Sequence, residues 1–352
     1  MIYPVTEESL NLAAEALRRG ELAAFPTETV YGLGGDAFNP RTLAEIFRAK
    51  GRPRFDPLIV HIACLETLED VADLSALDPR NREDTARLTA EFWPGPLTLV
   101  LPKKKAVPDL ATSGLATVAV RFPAHPAAQQ LIRRSTGAVA APSANRFGCL
   151  SPTRAEHVAE QLGDRVNIIL DGGPAAVGLE STVLDMTAGG PRILRPGGLS
   201  RERLEALLGP LPAPGQPPAE PGSPGELRSP GELRSPGLLT SHYAPRTPLF
   251  LYGYGETLPC EAGAGYLFFS RRSYESWAAR NGMYPRTAPE ILSGTGDSLE
   301  AAANLFEALH RLDRLGLRRI HAEKAPPEAL GEAINDRLGR AASKTPGVFP
   351  GV

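Results

Sequence analysis

Two groups of side chains in this sequence have the types and the spacing that could bind a phosphate. Three cations, Lys50, Arg52 and Arg54, surround the predicted end of a helix, in a loop that two prolines stiffen. Ser143 and Asn145 follow an apolar strand, where short hydroxyl and amide groups are well placed to meet a ligand. Each group also has an ordinary structural explanation, because cations favour helix C-termini and Ser and Asn favour turns. Spacing alone leaves both explanations open.

Other polar residues stand at the ends of predicted strands. The segment Pro26–Gly35 combines hydroxyl residues with glycines, which suits either an anion-binding loop or an ordinary turn, and it lacks the Gly-Lys-Ser/Thr of a Walker loop. His61 extends an apolar run and is better explained, on pattern alone, as a core histidine. Arg121, Ser181 and Arg195 lie at or near strand ends. One arginine in such a place is usually a solvated charge, whereas several converging ones would indicate an anion site.

Helices and strands alternate in the first 208 residues and would position these side chains. Thr6 and Asn39 can cap the first two helices. Thr153 and Glu156 have the spacing of a capping box ahead of a later one. This order of elements predicts an α/β domain with a mixed sheet over residues 1–208. Its strands are predicted from apolar runs at Glu21–Phe25, Leu58–Ile62, Leu97–Leu101, Thr117–Val120, Ala138–Ala141, Val166–Leu170, Ser181–Met186 and Ile193–Leu194.

The composition changes abruptly after this domain. Residues 209–243 are rich in Pro and Gly and contain SPGELR twice. They have too few apolar residues for a core, so they predict an extended linker. Beyond them, three strand candidates, Leu249–Tyr252, Gly265–Phe269 and Arg319–Ala322, alternate with helical stretches. We therefore predict a second, smaller α/β domain over residues 244–352.

Composition also narrows the class of protein. The 352 residues are 42% hydrophobic and carry a formal net charge of −2, without the basic balance of a general nucleic-acid binder. The cysteines, Cys64, Cys149 and Cys260, are too far apart for a zinc ribbon and favour a reducing compartment. The N-terminal residues lack the features of a signal peptide, and no run is apolar enough for a membrane span. We expect a cytoplasmic enzyme or binding protein.

Four motifs, taken together, resemble one family. The segments PTETVYGLG, KGRP…PLIVH, PSAN and ESTVLD occur in the order found in the YrdC/Sua5 family, the threonylcarbamoyl-AMP synthases. The later segments SPGLLTSHYAP, AAANLFEALHRLD and AINDRLGRAA are similar to the linker and C-terminal domain of the long, two-domain Sua5 form. The resemblance implies a YrdC-like, twisted and open mixed sheet with a basic concave face, followed by a smaller Rossmann-like α/β domain.

The resemblance also implies a reaction. L-Threonine, bicarbonate (or CO2) and ATP would give threonylcarbamoyl-adenylate and pyrophosphate. Mg2+ would accompany the ATP phosphates without dedicated protein ligands. A partner enzyme would then move the threonylcarbamoyl group onto A37 of tRNA, the t6A modification, and whether this chain itself binds tRNA stays open.

Site residues follow from the same resemblance, position by position. Lys50 and Arg52 would neutralise ATP phosphates. Ser143 and Asn145 would hold phosphate oxygens or order the Mg2+ around them. Arg121 would bind the threonine carboxylate, since its planar fork matches two oxygens. The positions that match the threonine site are Thr29, His61, Arg121, Ala141 and Ser181. The positions that match the nucleotide site are Arg52, Asp56, Thr117, Ser143, Ser151, Arg195 and Tyr243.

Two of these positions carry a further question. Asp56 stands where the family commonly has Asn, so it could accept from the ribose or base, or could lie unfavourably near phosphate. Tyr243 belongs with His242 to the HYAP motif, which we expect to fold back over the nucleotide as a lid. Such a lid would keep water from the carbamate and from the mixed anhydride.

Two other functions remain open at this stage. A carbamoyl-adenylate former, of the kind found in carbamoyltransferases with a YrdC-like module, would share the motifs. Those enzymes carry zinc-finger and transferase domains that this sequence lacks. An RNA-binding module would use the basic concave face, but the net charge of −2 and the absence of RNP-type aromatic motifs are against it.

Overall fold

The computed structural model describes residues 1–187, 189–213, 243–282 and 289–343. Both copies of SPGELR, His242 and most of the predicted linker lie outside the described residues. The described parts of the chain contain a ten-stranded sheet and, later in the chain, a four-stranded sheet, each with its own helices. In these parts no helix is long and apolar enough to cross a bilayer.

The first domain is built on a mixed sheet. Its strands are, in chain order, β1 (Ile2–Pro4), β2 (Ala23–Phe25), β3 (Gly32–Asp36), β4 (Ile59–Ile62), β5 (Leu97–Pro102), β6 (Thr117–Arg121), β7 (Ala138–Ala140), β8 (Ile168–Asp171), β9 (Thr182–Asp185) and β10 (Arg192–Arg195). They lie in the order β1-β8-β2-β3-β7-β4-β6-β5-β9-β10. Strand β4 runs parallel to β6, whereas β7 runs antiparallel to both β3 and β4. The mixed sheet predicted from the apolar runs is confirmed.

Helices of this domain connect the strands. They are α1 (Glu7–Arg18), α2 (Pro40–Lys50), α3 (Leu68–Val71), α4 (Pro79–Phe92), α5 (Asp109–Thr112), α6 (Pro126–Arg134), α7 (Ala155–Leu162) and α8 (Arg201–Leu208), with short 3₁₀ turns at Leu74–Ala76 and Gly163–Arg165. Thr6 caps α1 in a capping box, and Asn39 caps α2, as predicted. The capping box predicted from Thr153 and Glu156 is wrong, because α7 has no side-chain cap. Instead, the backbone N–H of Thr153 donates to Nδ1 of His157 at 3.3 Å.

The glycines after Pro26 form strand β3, which the sequence did not predict. A Cβ atom on Gly34 would lie 2.7 Å from a ring carbon of Phe25. A Cβ atom on Gly35 would lie 2.4 Å from the methyl group of Thr42 in α2. Close packing between β3 and its neighbours therefore requires these two glycines, whether or not a ligand binds nearby.

The second domain is an α/β unit with a parallel sheet. Its elements are β11 (Leu249–Tyr252), β12 (Ala264–Ser270), α9 (Arg271–Asn281), β13 (Pro289–Ser293), α10 (Ser298–Arg314), β14 (Arg319–Glu323) and α11 (Gly331–Ala342). The strands lie in the order β11-β14-β12-β13, and each pair is parallel. Residues of α10 and α11 belong to one hydrophobic cluster, and Trp277 of α9 belongs to another. The smaller Rossmann-like domain that the resemblance implied is confirmed.

The two domains share a hydrophobic core. Val30, Leu150 and Leu179 of the first domain are buried in one cluster with residues of α10 and α11. Gly178 has a φ of +69°, and a Cβ atom there would lie 2.6 Å from the Cα of Ala303 in α10. The backbones of the two domains therefore approach each other closely, which only a glycine permits at this position.

A pair of histidines also joins the domains. The rings of His157 and His310 are stacked, with centroids 3.7 Å apart. Nε2 of His310 lies 3.1 Å from the carbonyl oxygen of Ser151. Burial lowers the pKa of His157 to about 2, with a further contribution from His310, and burial also lowers the pKa of His310. Both rings are therefore neutral in the folded protein at neutral pH.

Candidate active site

A cavity of about 40 Å³ lies between strand ends of the first domain, close to the second domain. Its walls come from the segment between β2 and β3, from β4, β6 and β10, and from the segments after β7 and before β9. That volume holds about three water molecules and is too small for a nucleotide. Residues predicted from the resemblance line it, namely Thr29, Arg52, His61, Arg121, Ala141, Ser143, Ser181, Arg195 and Tyr243.

Arg121 is buried at the end of β6 and is fixed by three acceptors. Its Nε donates to the carbonyl of Gly95 at 3.2 Å, Nη1 to Oγ1 of Thr29 at 2.7 Å and Nη2 to Glu28 at 2.6 Å. A guanidinium group has five N–H donors, so one remains on Nη1 and one on Nη2. Donors on the two Nη atoms of a guanidinium group can bind a carboxylate in the bidentate manner.

His61 lies on β4 beside Arg121. Its Nδ1 is 3.2 Å from the carbonyl oxygen of Ile59, which assigns the ring proton to Nδ1 and leaves Nε2 as an acceptor. Burial lowers the pKa of His61 to about 3, and the charge of Arg121 contributes. The ring is therefore neutral at physiological pH. His61 is buried and hydrogen-bonded, as a core histidine would be, and it also lines the cavity.

Ser181 and Arg195 lie together on another part of the cavity wall. Oγ of Ser181 is 2.7 Å from Oγ1 of Thr98, and both side chains are buried. Nη2 of Arg195 donates to the carbonyl of Ser181 at 2.9 Å and lies 3.3 Å from its hydroxyl. Burial lowers the pKa of Arg195, but a guanidinium group stays protonated in proteins. This wall therefore carries a fixed positive charge beside a hydroxyl group.

Arg52 and Asp56 form a buried ion pair in the loop after α2. Nη2 of Arg52 lies 2.8 Å from Oδ2 of Asp56, but the N–H groups of Arg52 point to the carbonyl oxygens of Asp56 and Pro57. Neither carboxylate oxygen of Asp56 accepts a hydrogen bond from the described residues. Burial raises the pKa of Asp56, although Arg52, Lys50 and Arg195 oppose this. Asp56 is thus a buried carboxylate with acceptor capacity to spare.

Lys50 joins the helix end to the segment after β7. Its Nζ donates to the carbonyl oxygens of Ser143 and Asn145, the latter at 2.7 Å, and lies 3.4 Å from Oδ1 of Asn145. The Nδ2 group of Asn145 donates to the carbonyls of Arg146 and Cys149. Burial lowers the pKa of Lys50 well below its usual value, and Arg52 lowers it further. The two groups of residues predicted to bind phosphate are therefore in direct contact, and Lys50 orders the loop that carries Ser143.

Glu180 is a buried carboxylate on the cavity wall. It accepts a hydrogen bond from Oγ of Ser151, and Nε of Arg337, in α11 of the second domain, donates to it at 2.7 Å. Burial by itself would raise the pKa of Glu180, but the charges of Arg337 and Arg195 hold that pKa below its ordinary value. A negative charge at this wall is thus balanced from the other domain.

Tyr243 closes the cavity from the side of the second domain. It is 1% exposed and adopts a φ of +60°, a region that costs a non-glycine residue roughly 1–2 kcal/mol. Its ring lies 5.8 Å from the ring of Phe306 and 5.0 Å below the guanidinium carbon of Arg337. The next residue, Ala244, donates to the carbonyl of Gly148 at 3.0 Å. Packing from both domains therefore offsets the backbone strain.

Other predicted residues lie behind the cavity or away from it. Ser151 is fully buried and faces Glu180. Ala141 does line the cavity, but its backbone N–H is taken by the carbonyl of Ile59 at 2.9 Å. Thr117 begins β6, whereas Arg121 ends it, which separates the two by about 13 Å along the strand. Thr117 is not among the described residues that line the cavity.

The sequence did not predict several residues that position this site. Glu28 and Thr98 orient Arg121 and Ser181; Glu28 stands in the motif PTETVYGLG without a predicted role, and no pattern marks Thr98. Glu180 stands in the motif ESTVLD but received no role. Arg337 did have a signal, because it falls on the apolar face of α11 between Ile334 and Leu338. A charge on such a face usually has a buried partner.

Among the residues that the structure describes, no group of three or more His, Cys, Asp or Glu side chains is arranged to bind a metal ion. Oxygen atoms suited to Mg2+ are nevertheless present, in the hydroxyl of Ser143 on the cavity wall and the carboxylate of Asp56 behind Arg52. These residues fit a cation that is bound mainly by the phosphates of a substrate.

Comparisons with known proteins agree over nearly the whole chain. The Sua5/YciO/YrdC family model, described as "Telomere recombination", matches residues 15–197, and the model for the threonylcarbamoyl-AMP synthase C-terminal domain matches residues 199–343. The chain is 41% identical to a threonylcarbamoyl-AMP synthase of Pyrococcus abyssi, over 96% of this chain and 95% of that one. It is also 41% identical to one of Bacillus subtilis, over 94% and 92%. The crystal structure of P. abyssi Sua5 complexed with L-threonine superposes with a TM-score of 0.80 at 38% identity, over 97% of each chain.

Proposed function

Because this chain belongs to the Sua5/YrdC family, in its long, two-domain form, we propose that it catalyses the synthesis of threonylcarbamoyl-AMP. L-Threonine, bicarbonate (or CO2) and ATP give threonylcarbamoyl-adenylate and pyrophosphate, so the chain is a nucleotidyltransferase. The observation that carries the proposal is the convergence of Arg52, Arg121 and Arg195 on one cavity that also contains buried hydroxyl groups. Such a site binds two anions side by side.

Threonine binds at the Arg121 end of the cavity. The two N–H groups left on Arg121 match the two oxygens of its carboxylate, and Thr29 and Glu28 hold the guanidinium group in position. Nε2 of neutral His61 accepts a hydrogen bond from the threonine amine or hydroxyl. The hydroxyl of Ser181 and the backbone carbonyl of Ala141 complete this end.

ATP binds at the Arg52 and Arg195 end. The two guanidinium groups offset the charge of the phosphates, and Ser143 donates to a phosphate oxygen. Lys50 and Asn145 support this contact by fixing the loop around Ser143. The buried carboxylate of Asp56 forms an ion pair with Arg52, and its negative charge lowers the positive charge available to the phosphates.

The chemistry needs alignment more than it needs a protein nucleophile. Threonine's amine and CO2 form an N-carboxylate with loss of one proton. A carboxylate oxygen then attacks the α-phosphorus of ATP, the bond to the β-phosphate oxygen breaks, and pyrophosphate leaves. The cations of the cavity reduce repulsion between the two anions and stabilise the charge that develops on the phosphates.

Mg2+ enters with ATP in this proposal. When bound, it neutralises charge on the phosphate groups that become pyrophosphate. Ser143 is the residue of the cavity wall whose side-chain oxygen is best suited to orient its hydration shell. Removal of divalent cations with a chelator should therefore abolish turnover, and turnover should return on addition of Mg2+.

Tyr243 acts as the lid over the nucleotide. The cavity is too small for ATP while Tyr243 occupies its present position, so the tyrosine moves outward when ATP enters and shields the reactants afterwards. The product is a reactive mixed anhydride, which requires a transferase as its consumer. We assign that transferase to the tRNA A37 modification, with this chain supplying the first step.

The test is an assay of pyrophosphate and of the AMP adduct, in which threonine and bicarbonate are omitted in turn. The expected result is turnover that requires both. Turnover that ignores threonine would contradict the proposal. Formation of carbamoyl-adenylate from carbamoyl phosphate would favour the related carbamoyl-activating reaction, and tight RNA binding without any turnover would favour a binding module.

A further inference from the structure

We propose that Arg337 of the second domain is a positioning residue of this active site, which balances the charge of Glu180 and contacts Tyr243 in the closed site. The inference rests on the function proposed above and deepens it. It gives the second domain a direct part in the reaction, through one side chain that is 157 positions away from its partner in the sequence.

The carboxylate of Glu180 needs a positive partner. Glu180 is 6% exposed and lines the cavity that receives two anionic reactants. Without a partner, its carboxylate would repel the phosphates in a low-dielectric site. Nε of Arg337 donates to it at 2.7 Å, and Arg337 itself is 1% exposed. Arg337 thus balances the one carboxylate among the charged side chains that line the described cavity, and the charges of Arg52, Arg121 and Arg195 stay available to the reactants.

Arg337 is held in one orientation beside Tyr243. Nη1 of Arg337 donates to the carbonyl of Pro196 at 3.0 Å and to Asp336 at 2.6 Å, so the guanidinium plane is fixed. Its face covers the ring of Tyr243, with the guanidinium carbon 5.0 Å from the ring centre. A cation over an aromatic ring is attracted to it, and more strongly when water is excluded. The same side chain therefore contacts both the carboxylate on the wall and the tyrosine that closes the site.

Arg337 also has a donor that no described residue uses. Nη2 of Arg337 is buried and has no hydrogen-bond partner among the described residues. Buried guanidinium donors are nearly always paired, so one left over at the border of a binding site is available to a ligand or to an ordered water. Its neighbours are already in place, since Glu180 and Tyr243 both line the cavity. Binding of the nucleotide supplies the missing acceptor.

The chain contains a matched control on the same helix. Arg340 lies one turn further along α11 and binds Asp336 at 2.9 Å, the carboxylate that Arg337 also contacts. Neither arginine is among the described residues that line the cavity, but Arg337 contacts Glu180 and Tyr243, which do line it. A purely structural role for cations on α11 would make the two arginines similar in effect.

The experiment compares wild type, Arg337→Met, Arg340→Met and the double variant Glu180→Gln/Arg337→Met. We measure threonine-dependent pyrophosphate release against ATP concentration, and melting temperature in parallel. Arg337→Met should raise KM for ATP roughly 10- to 100-fold, because it leaves a buried carboxylate unpaired beside the phosphates. Arg340→Met should change KM less than about twofold, in line with the small worth of partly exposed ion pairs. The double variant should recover most of the lost ATP affinity, because the unpaired charge is gone.

Three results would overturn the inference. They are a KM for ATP that is unchanged in Arg337→Met, an equal loss in Arg340→Met, and a double variant that binds ATP no better than Arg337→Met. If Arg337→Met does not fold, the folded double variant and Arg337→Lys provide the same comparison. Wild-type KM and kcat in Arg337→Lys would contradict a role for the planar guanidinium group. Calorimetric titration with α,β-methylene-ATP separates this inference from the proposed function. Wild type that binds the analogue but releases no threonine-dependent pyrophosphate contradicts the function alone.

Discussion

Replacement of Arg121 by lysine is a direct test of the threonine end of the site. Arg121 uses three of its five donors on Gly95, Thr29 and Glu28, which leaves two for a carboxylate. Lysine keeps the positive charge, but its single ammonium group cannot reproduce the fork. The loss is about one charge-assisted hydrogen bond, or roughly 1.5–3 kcal/mol, which corresponds to a rise of about 10- to 100-fold in KM for threonine.

The assay is pyrophosphate release at saturating ATP with threonine varied, then with the two roles exchanged. KM for ATP should stay within about twofold, since the proposal assigns Arg121 to threonine and Arg52 to ATP. Arg133→Lys is the control, because Arg133 also donates to a backbone carbonyl, that of Ala63 at 3.0 Å, on a surface away from the cavity. A KM for threonine within about threefold of wild type would refute the assignment of Arg121. So would equal rises in both KM values, which would indicate a general distortion.

Three further changes test other parts of the structure. Asp56→Asn removes a buried negative charge beside Arg52 and should lower KM for ATP about three- to tenfold; a higher KM would mean that the carboxylate binds the nucleotide. Lys50→Met leaves two carbonyl oxygens without their donor and should lower the free energy of unfolding by about 2–4 kcal/mol together with activity, as urea titration would show. Loss of activity at unchanged stability would instead place the ammonium group on the phosphates. His157 has a folded pKa of about 2, so below about pH 6.5 the unfolded chain takes up a proton that the folded chain excludes. Stability should therefore fall as pH falls, by about 2 kcal/mol for this residue at pH 5, and His157→Gln should remove that part of the slope; an unchanged slope would contradict the assignment.

Much of the fold was predictable because local patterns and tertiary structure agree. Thr6 and Asn39 cap helices as their residue types predict, and the apolar runs became strands within two residues of their expected bounds. Strand β3 was missed because its glycines carry no apolar signal. Glycine is required there because the ring of Phe25 and the side chain of Thr42 pack directly against the strand. A residue type that is required by the packing of a distant side chain cannot be predicted from the local sequence of the strand. The capping box at Thr153 failed for a similar reason, since His157 supplied a competing acceptor.

The site divides in the same way. Motifs identified the cations and hydroxyls, and most of those predicted residues line one cavity. The contacts between these residues were not predictable. Nothing in the sequence indicates that the ammonium group of Lys50 donates to the carbonyls of Ser143 and Asn145 and does not face solvent. The position of Arg337 on the apolar face of α11 indicates that it is buried. It does not identify the partner of Arg337, because Glu180 comes from the other domain.

The shared core has a consequence for how far this chain is modular. Cutting it after Leu208 would keep every strand of the large sheet and almost every cation of the site. It would also expose Val30, Leu150 and Leu179 to water and leave Glu180 without Arg337. The first domain therefore depends on the second domain to cover part of its hydrophobic core and to pair with Glu180. Deletion of the second domain would therefore not turn this chain into a working single-domain form of the family unless the three apolar positions and the balance of the carboxylate changed with it.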